Sequence, residues 1–340
     1  MGVKIKDIAK RLGVSPGTIS KALNDKKGVS EELKKKIKKL ANEMGYRPNL
    51  IAQRLSSKKS NTIGVFILSR DKIKLRDSFA IEILDGITEK ANKLGYDILL
   101  FTTTGNNLNE EQYIELCKAR RVEGAIFIGL CSDDPQLEDI RASDIPIAII
   151  DLELDAKNVG YISSDNELGI ISALEYLINL GHRKIGFIGS SKTAEVSQIR
   201  YKAYQSYLKA RNLYKADYVW EGDFTRESGE KVAEEVLRLK DRPTAIISAS
   251  DSMALGAIKI FKDKGIRIPE DISVIGFDNI SATEYSNPRL TTINQDGIAL
   301  GKEALNFILN KSQGNSVPKR RLLKPELIIR DSVKDIRNNF

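Results

Sequence analysis

A single histidine, His182, leaves this chain without the side chains for a multi-histidine metal site, and acid–base catalysis would fall to carboxylates alone. His182 lies in the stretch Leu180-Gly181-His182-Arg183, a turn entering a strand, where a structural hydrogen bond is the expectation. Two cysteines, Cys117 and Cys131, make neither a CxxC pair nor a disulfide framework. Each follows the apolar pattern of its segment, so both read as core thiols. No apolar run approaches the roughly 18 residues that a membrane helix needs. The first ten residues carry lysines and Asp7 but no apolar core, so no secretory signal is expected and the cytoplasm is the expected compartment. GxSxG, GxGxxG and phosphate-loop motifs are missing as well. No enzyme, metal or cofactor is therefore expected.

What the chain has in excess is positive charge, confined to one end. Residues 1–60 hold 16 Lys and Arg against 5 Asp and Glu, a net +11, whereas the other 280 residues hold 38 against 41, a net −3. A block of that sign favours binding to a phosphate backbone through counterion release. At 340 residues the chain also exceeds one ordinary core, so two or three domains are expected.

The basic block is patterned and not a solvated tail. Ile5, Ile8, Ala9 and Leu12 recur on one helical face, and Gly13 follows as a stop. Val14 opens a tight turn, Ser15 is placed to cap a second helix, and Pro16 takes its first position, where a missing N–H is no loss. Thr18, Ile19, Ala22 and Leu23 form the inner stripe of that helix. A third helix runs from the cap Ser30 through Leu33, Ile37, Leu40, Ala41 and Met44 to Gly45. Two short helices joined by a Gly-Val-Ser turn and braced by a third make a helix-turn-helix module.

The segment IKDIAKRLGVSPGTISKALN, then VSEELKKKIKKLANEMGYRPNLIAQRL, resembles the lactose- and galactose-repressor family of bacterial transcriptional regulators. The resemblance runs on through LTTINQD to the final IIRDS, nearly the whole chain. It implies that the second helix enters the major groove with Pro16, Gly17, Ser20 and Lys21 exposed toward DNA. Lys21 has the reach for a guanine edge or a phosphate. Pro16 and Gly17, lacking side-chain donors, would contribute apolar or shape fit. Thr18 and Lys27 are further candidates, with helix packing the bland alternative for Thr18. The stretch 49–60 is too short for a stable helix alone. By the resemblance it becomes a hinge helix on DNA, with Leu55, flanked by Ala52 and Arg54, wedged into the minor groove.

From Asn61 onward the texture changes to strands alternating with helices of about 12–16 residues. Strands are expected at 62–68, 97–103, 124–130, 146–151, 184–189, 217–222, 244–250 and 272–278. Their near-continuous apolar runs suit parallel sheets buried on both faces. The expected fold is α/β: a helix-turn-helix head (1–48), a hinge helix and linker (49–61), and a two-lobed body (62–340) of parallel α/β sheets. The body resembles periplasmic sugar-binding proteins. That likeness implies a clamshell whose chain crosses between lobes near 161, 292 and 323, with lobe 1 spanning about 62–161 and 293–323 and lobe 2 about 162–292 and 324–333.

Such sheets bind ligands beyond their C-terminal strand ends. By resemblance Arg200 and Asp278 hold the ligand, a fork and a carboxylate that together satisfy vicinal hydroxyls. Phe224 stands where relatives place an aromatic, and Phe79 is a looser match in the other lobe. Asp151, Asp165 and Gln295 are second-rank candidates. Relatives usually carry Asn where this chain has Ser250, so the identity of the ligand does not carry over. Bland roles stand beside these: Arg200 could pair Asp223, Asp278 could cap a loop, and Phe224 could be core. The expected function is a repressor of sugar-utilisation genes. Its expected partners are pseudo-palindromic operator DNA, a second copy of the chain, and a sugar or sugar-phosphate effector, with a nucleobase as the alternative effector. KDIRNNF lacks leucine heptads, so a dimer is expected rather than a tetramer.

Overall fold

The computed structural model describes residues 3–23, 25, 27–46, 60–69, 79–104, 112–190 and 192–337, and divides into two compact units, 1–60 and 61–340. Leu55, Ala52 and Arg54 lie outside the described residues.

The first unit holds three helices, α1 (Ile5–Leu12), α2 (Pro16–Leu23) and α3 (Glu31–Glu43). Gly13 ends α1 at φ 65°, a left-handed conformation that glycine adopts without steric cost. Ser15 Oγ accepts from Thr18 N at 3.1 Å and Ser30 Oγ from Leu33 N at 3.3 Å, each satisfying one of the free donors of a helix start. Ile8, Ala9, Ile19, Ala22, Ile37 and Ala41 make a small buried core.

The second unit contains two six-stranded sheets. In the first, β1 (Thr62–Ser69), β2 (Asp97–Thr104), β3 (Gly124–Ile128), β4 (Ile147–Ile150) and β5 (Val159–Ser164) are joined by α4 (Phe79–Leu94), α5 (Tyr113–Arg120) and α6 (Leu137–Arg141). The second has β6 (Ile185–Gly189), β7 (Val219–Glu221), β8 (Ala245–Ser248), β9 (Ser273–Asp278) and β10 (Thr291–Asn294). Its helices are α7 (Asn166–Asn179), α8 (Glu195–Lys209), α9 (Arg226–Arg238), α10 (Asp251–Asp263) and the single turn α11 (Ala282–Tyr285). The chain then returns through α12 (Gly297–Ser312) to β11 (Arg320–Leu323) in the first sheet and ends on β12 (Glu326–Ile328) in the second. The strand orders, β11-β5-β4-β3-β1-β2 and β12-β10-β9-β8-β6-β7, are parallel throughout except for the antiparallel β10–β12 pair. This is the doubly wound plan in both lobes.

Several expectations shift. The first two crossings fall after β5 and after β10, a few residues beyond 161 and 292, while the third, between β11 and β12, directly follows 323. Residues 162–164 thus stay in the first sheet and 293–294 in the second, because each strand completes its ladder before the chain leaves. The run at 217–222 splits into a 3-10 turn, Ala216–Tyr218, and a three-residue strand. Cys117 is buried, whereas Cys131, just past β3, is half-exposed and not a core thiol. His182 is buried, with ring nitrogens 2.9 Å from Thr244 Oγ1 and 3.0 Å from the Lys334 carbonyl. No helix among the described residues is long and apolar enough to cross a membrane.

Each lobe contains one helix pair whose backbones nearly touch. A Cβ on Gly86 of α4 would lie 2.1 Å from the Ile298 carbonyl oxygen of α12, and one on Gly301 2.1 Å from that of Ile83. In the other lobe, a Cβ on Gly229 would meet Met253 O at 2.0 Å and one on Gly256 Arg226 O at 2.1 Å. The obstacle is main chain, so it cannot rotate aside. Gly86→Ala should therefore destabilise the body by about 1–3 kcal/mol, as overpacking does. The thermal midpoint should fall by roughly 2–10 °C in a circular-dichroism melt. An unchanged midpoint would show that the helices can part at little cost.

Candidate effector cleft and DNA-facing head

All three crossings leave from C-terminal strand ends. β5 leads from the first sheet into α7, β10 leads back into α12, and β11 runs directly into β12. The two C-terminal edges must therefore face each other across the hinge, and the loops beyond them line a cleft.

Arg200 is held beside the first crossing, where Asn166 opens α7. It projects from the second turn of α8 and is 2% exposed. Its Nε donates to Asn166 Oδ1 at 2.7 Å and one Nη to the Ala249 carbonyl at 2.5 Å. The guanidinium plane sits 3.7 Å from the Phe277 ring centroid, a cation–π contact on a dry face. Burial weakens its hold on the proton, while Asp278 and Asp151 oppose that effect. It does not pair with Asp223, whose carboxylate instead accepts from Thr225 N at 2.9 Å.

Asp278 ends β9 at φ 118°, a strained left-handed conformation that turns the chain at the cleft. Gln295 Nε2 donates to its Oδ1 at 2.6 Å. Burial pushes its carboxyl up to about 7, against the pull of Arg200. Asp151 follows β4, accepts from Ser163 Oγ at 2.5 Å, and is also raised by burial. Asn166 Nδ2 donates to Ser163 Oγ at 3.1 Å, so one chain of bonds runs from Asp151 in the first lobe to Arg200 in the second.

Other candidates are placed differently. Asp165 caps α7, accepting from Leu168 N at 3.0 Å, and Ser250 caps α10, accepting from Met253 N at 3.3 Å. Phe224, at φ 67°, is half-buried and packs on the second lobe's core. Phe79 opens α4 and packs on the first lobe's core, its ring beside Gly297.

Sequence reasoning missed Ser163, Asn166, Phe277, Glu82 and Glu195. Glu82 and Glu195 are both raised chiefly by burial. Across the cleft Glu195 accepts from Glu153 N at 2.9 Å, and the Thr193 carbonyl accepts from Ser132 N and Oγ at 3.1 Å each. The polar run Ser163-Ser164-Asp165-Asn166 at a strand end was the available signal.

On the head, Pro16, Gly17 and Lys21 of α2 and Lys27 beyond it are exposed. Ser20 is half-buried rather than exposed, since it sits beside the inward stripe. Thr18 is half-buried, with Oγ1 2.9 Å from Ser15 Oγ, and so shares in the cap.

Residues 4–49 match the family of bacterial regulatory proteins of lacI type, and residues 174–333 match a periplasmic binding protein-like domain. The chain is 33% identical over 337 residues to an HTH-type transcriptional repressor PurR of Photobacterium profundum, covering 98% of this chain and 99% of that one. A PurR of Vibrio vulnificus is also 33% identical, with the same coverage. The lac repressor dimer bound to operator and the anti-inducer ONPF superposes with a TM-score of 0.84 at 28% identity, covering 98% of this chain and 100% of that one. A complex of the transcriptional regulator CelR with cellobiose gives 0.74 at 27% identity, covering 97% and 99%.

Proposed function

The chain belongs to the lacI family of bacterial regulatory proteins, and from that premise we propose how its labour is divided: a dimer seats its heads on a pseudo-palindromic operator, and a small polyhydroxyl effector in the cleft sets the affinity. It is a DNA-binding transcriptional regulator, as its repressor relatives are, and not an enzyme. We place it in the cytoplasm, where the DNA is. One observation carries the reading: a helix-turn-helix within a +11 block shares a chain with a cleft built on a buried guanidinium among carboxylates.

Two-fold symmetry in the protein requires it in the DNA. Pro16, Gly17, Thr18, Ser20, Lys21 and Lys27 contact DNA from the head, and Ala52, Arg54 and Leu55 from the hinge. In the cleft, Arg200 and Asp278 hold adjacent hydroxyls, Phe224 packs on C–H faces, and Asp151 and Gln295 complete the polar wall. Phe79 closes it from the first lobe, while Asp165 and Ser250 act mainly by fixing α7 and α10. The cellobiose bound to CelR supports a sugar. A nucleobase would also stack on Phe224.

A thermal-shift screen of sugars, sugar phosphates and purines tests this. Ligand at about a hundredfold over its dissociation constant should stabilise by roughly 2.7 kcal/mol. A shift from purines alone would overturn the sugar assignment. Leu55→Ala should weaken operator binding and reduce DNA bending, because the wedge acts on the duplex. Operator affinity measured beside the melt of free protein checks it. Unchanged affinity with a large drop in midpoint would make Leu55 a core residue.

A further inference from the structure

Among the described residues, only three buried side-chain polar atoms find no hydrogen-bond partner: Ser143 Oγ, Ser190 Oγ and Gln295 Oε1. A buried polar group left unpaired is costly, so each calls for an explanation. Ser143 precedes β4 and belongs to the edge of its sheet away from the cleft. The other two are on the cleft. Ser190 directly follows β6, the strand next to the β7 edge of the second lobe's sheet, and is 6% exposed. Its N–H donates to Ser197 Oγ at 2.9 Å, which fixes the backbone and leaves the hydroxyl uncommitted. Three residues on, Thr193 makes the contact with Ser132 of the other lobe. Gln295 lies at the second crossing and is 1% exposed; its amide nitrogen is held by Asp278, so its oxygen is fixed and presents an acceptor.

Carboxyls outnumber cations around these atoms, with Arg200 and, beside Glu195, Arg320 as the positive charges. Asp151, Asp278, Glu82 and Glu195 surround the region, and burial raises all four carboxyls. Asp151 and Glu82 act on Asp278 as like charges, and Asp151 does the same to Glu195. Arg200 already gives two of its donors to Asn166 and Ala249. A phosphate brought here would add up to two negative charges to four carboxyls in a poorly hydrated space. A hydroxyl-bearing neutral molecule adds none and supplies donors.

We propose that Ser190 Oγ and Gln295 Oε1, beyond the ends of β6 and β10, each accept an O–H or N–H donor of the effector, and that the carboxyl-rich wall makes the cleft reject phosphorylated effectors in favour of uncharged ones. The proposal rests on the reading that the cleft holds the effector, and it narrows that effector from sugar or sugar phosphate to the uncharged form.

The test uses the full chain and two arms. In the first, Ser190→Ala is melted without ligand. A hydroxyl waiting for a ligand is dispensable in the free protein, so the midpoint should stay level or rise, whereas a drop of several degrees would show a structural partner and overturn the pair. In the second, matched probes are compared by thermal shift: neutral mono- and disaccharides, and the phosphates of the same sugars. Only the neutral members should raise the midpoint, and Ser190→Ala should weaken the responding probe by roughly 3- to 10-fold, as loss of one neutral hydrogen bond does. A phosphate that matches or exceeds its neutral parent, through a response abolished by Asp278→Asn, would overturn the charge selection. Silence from every probe would remove the sugar reading of the effector, and this proposal with it.

Discussion

Arg200→Ala should abolish the response to effector and, at the same time, cost the body about 3–5 kcal/mol, the range for breaking a buried charge network. The stability loss follows from geometry. Asn166 Oδ1 and the Ala249 carbonyl lose their donor, Phe277 loses the cation on its face, and Asp151 and Asp278 lose a nearby positive charge. A calorimetric scan should register a fall on the order of 10 °C for a unit of this size. Because the variant loses structure as well as a ligand contact, Asp278→Asn is the cleaner partner. Asparagine keeps an oxygen for Gln295 Nε2 and removes only the charge. Its binding loss should come without a stability loss at neutral pH.

The pH dependence of the wild type separates the two roles further. Burial raises the Asp278 carboxyl to about 7 in the folded protein, whereas the unfolded chain releases that proton near the ordinary carboxylate value of 3.8. A group raised in this way contributes stability that is fully present at low pH and declines as pH rises through its folded value. Wild-type stability should therefore fall between about pH 4 and 8, and Asp278→Asn should flatten that part of the curve. Equal slopes in the two proteins would mean that Asp278 titrates near its ordinary value.

The second large effect concerns the head. Raising salt from 50 to 200 mM should lower operator affinity by about 10³–10⁵, provided the dimer neutralises 6–10 phosphates. The net +11 in residues 1–60, against −3 in the rest, makes this term dominant. Log affinity should fall linearly with log salt, and Lys21→Ala should reduce the slope by about one if that lysine meets a phosphate. A flat profile measured by fluorescence anisotropy would contradict the electrostatic account.

Local patterning made much of this architecture legible. The helix-turn-helix could be read from Gly13, Ser15, Pro16 and Ser30, since caps and stops act over three or four residues. Central strands such as 62–69 and 124–128 stood out as apolar runs. The strands that escaped have no such run: Arg320–Leu323 is a charged edge, Glu326–Ile328 is three residues long, Thr291–Asn294 has one aliphatic residue, and Val159–Ser164 closes on two serines. They are strands because of the neighbours they pair with, and pairing across a hinge is non-local. The same holds for the site. Arg200 and Asp278 were visible by resemblance, but Asn166 reaches Arg200 across 34 positions only because the first crossing puts it there. The paired glycines at 86 and 301 were equally hidden, since their reason is another helix's backbone.

Selection from a pool of randomised duplex DNA tests the central claim most directly. The full chain, at physiological salt, is predicted to enrich one pseudo-palindromic sequence, and a chain cut to residues 61–340 is predicted to enrich none. No enrichment by the full chain, or the same enrichment after the first 60 residues are removed, would contradict the account.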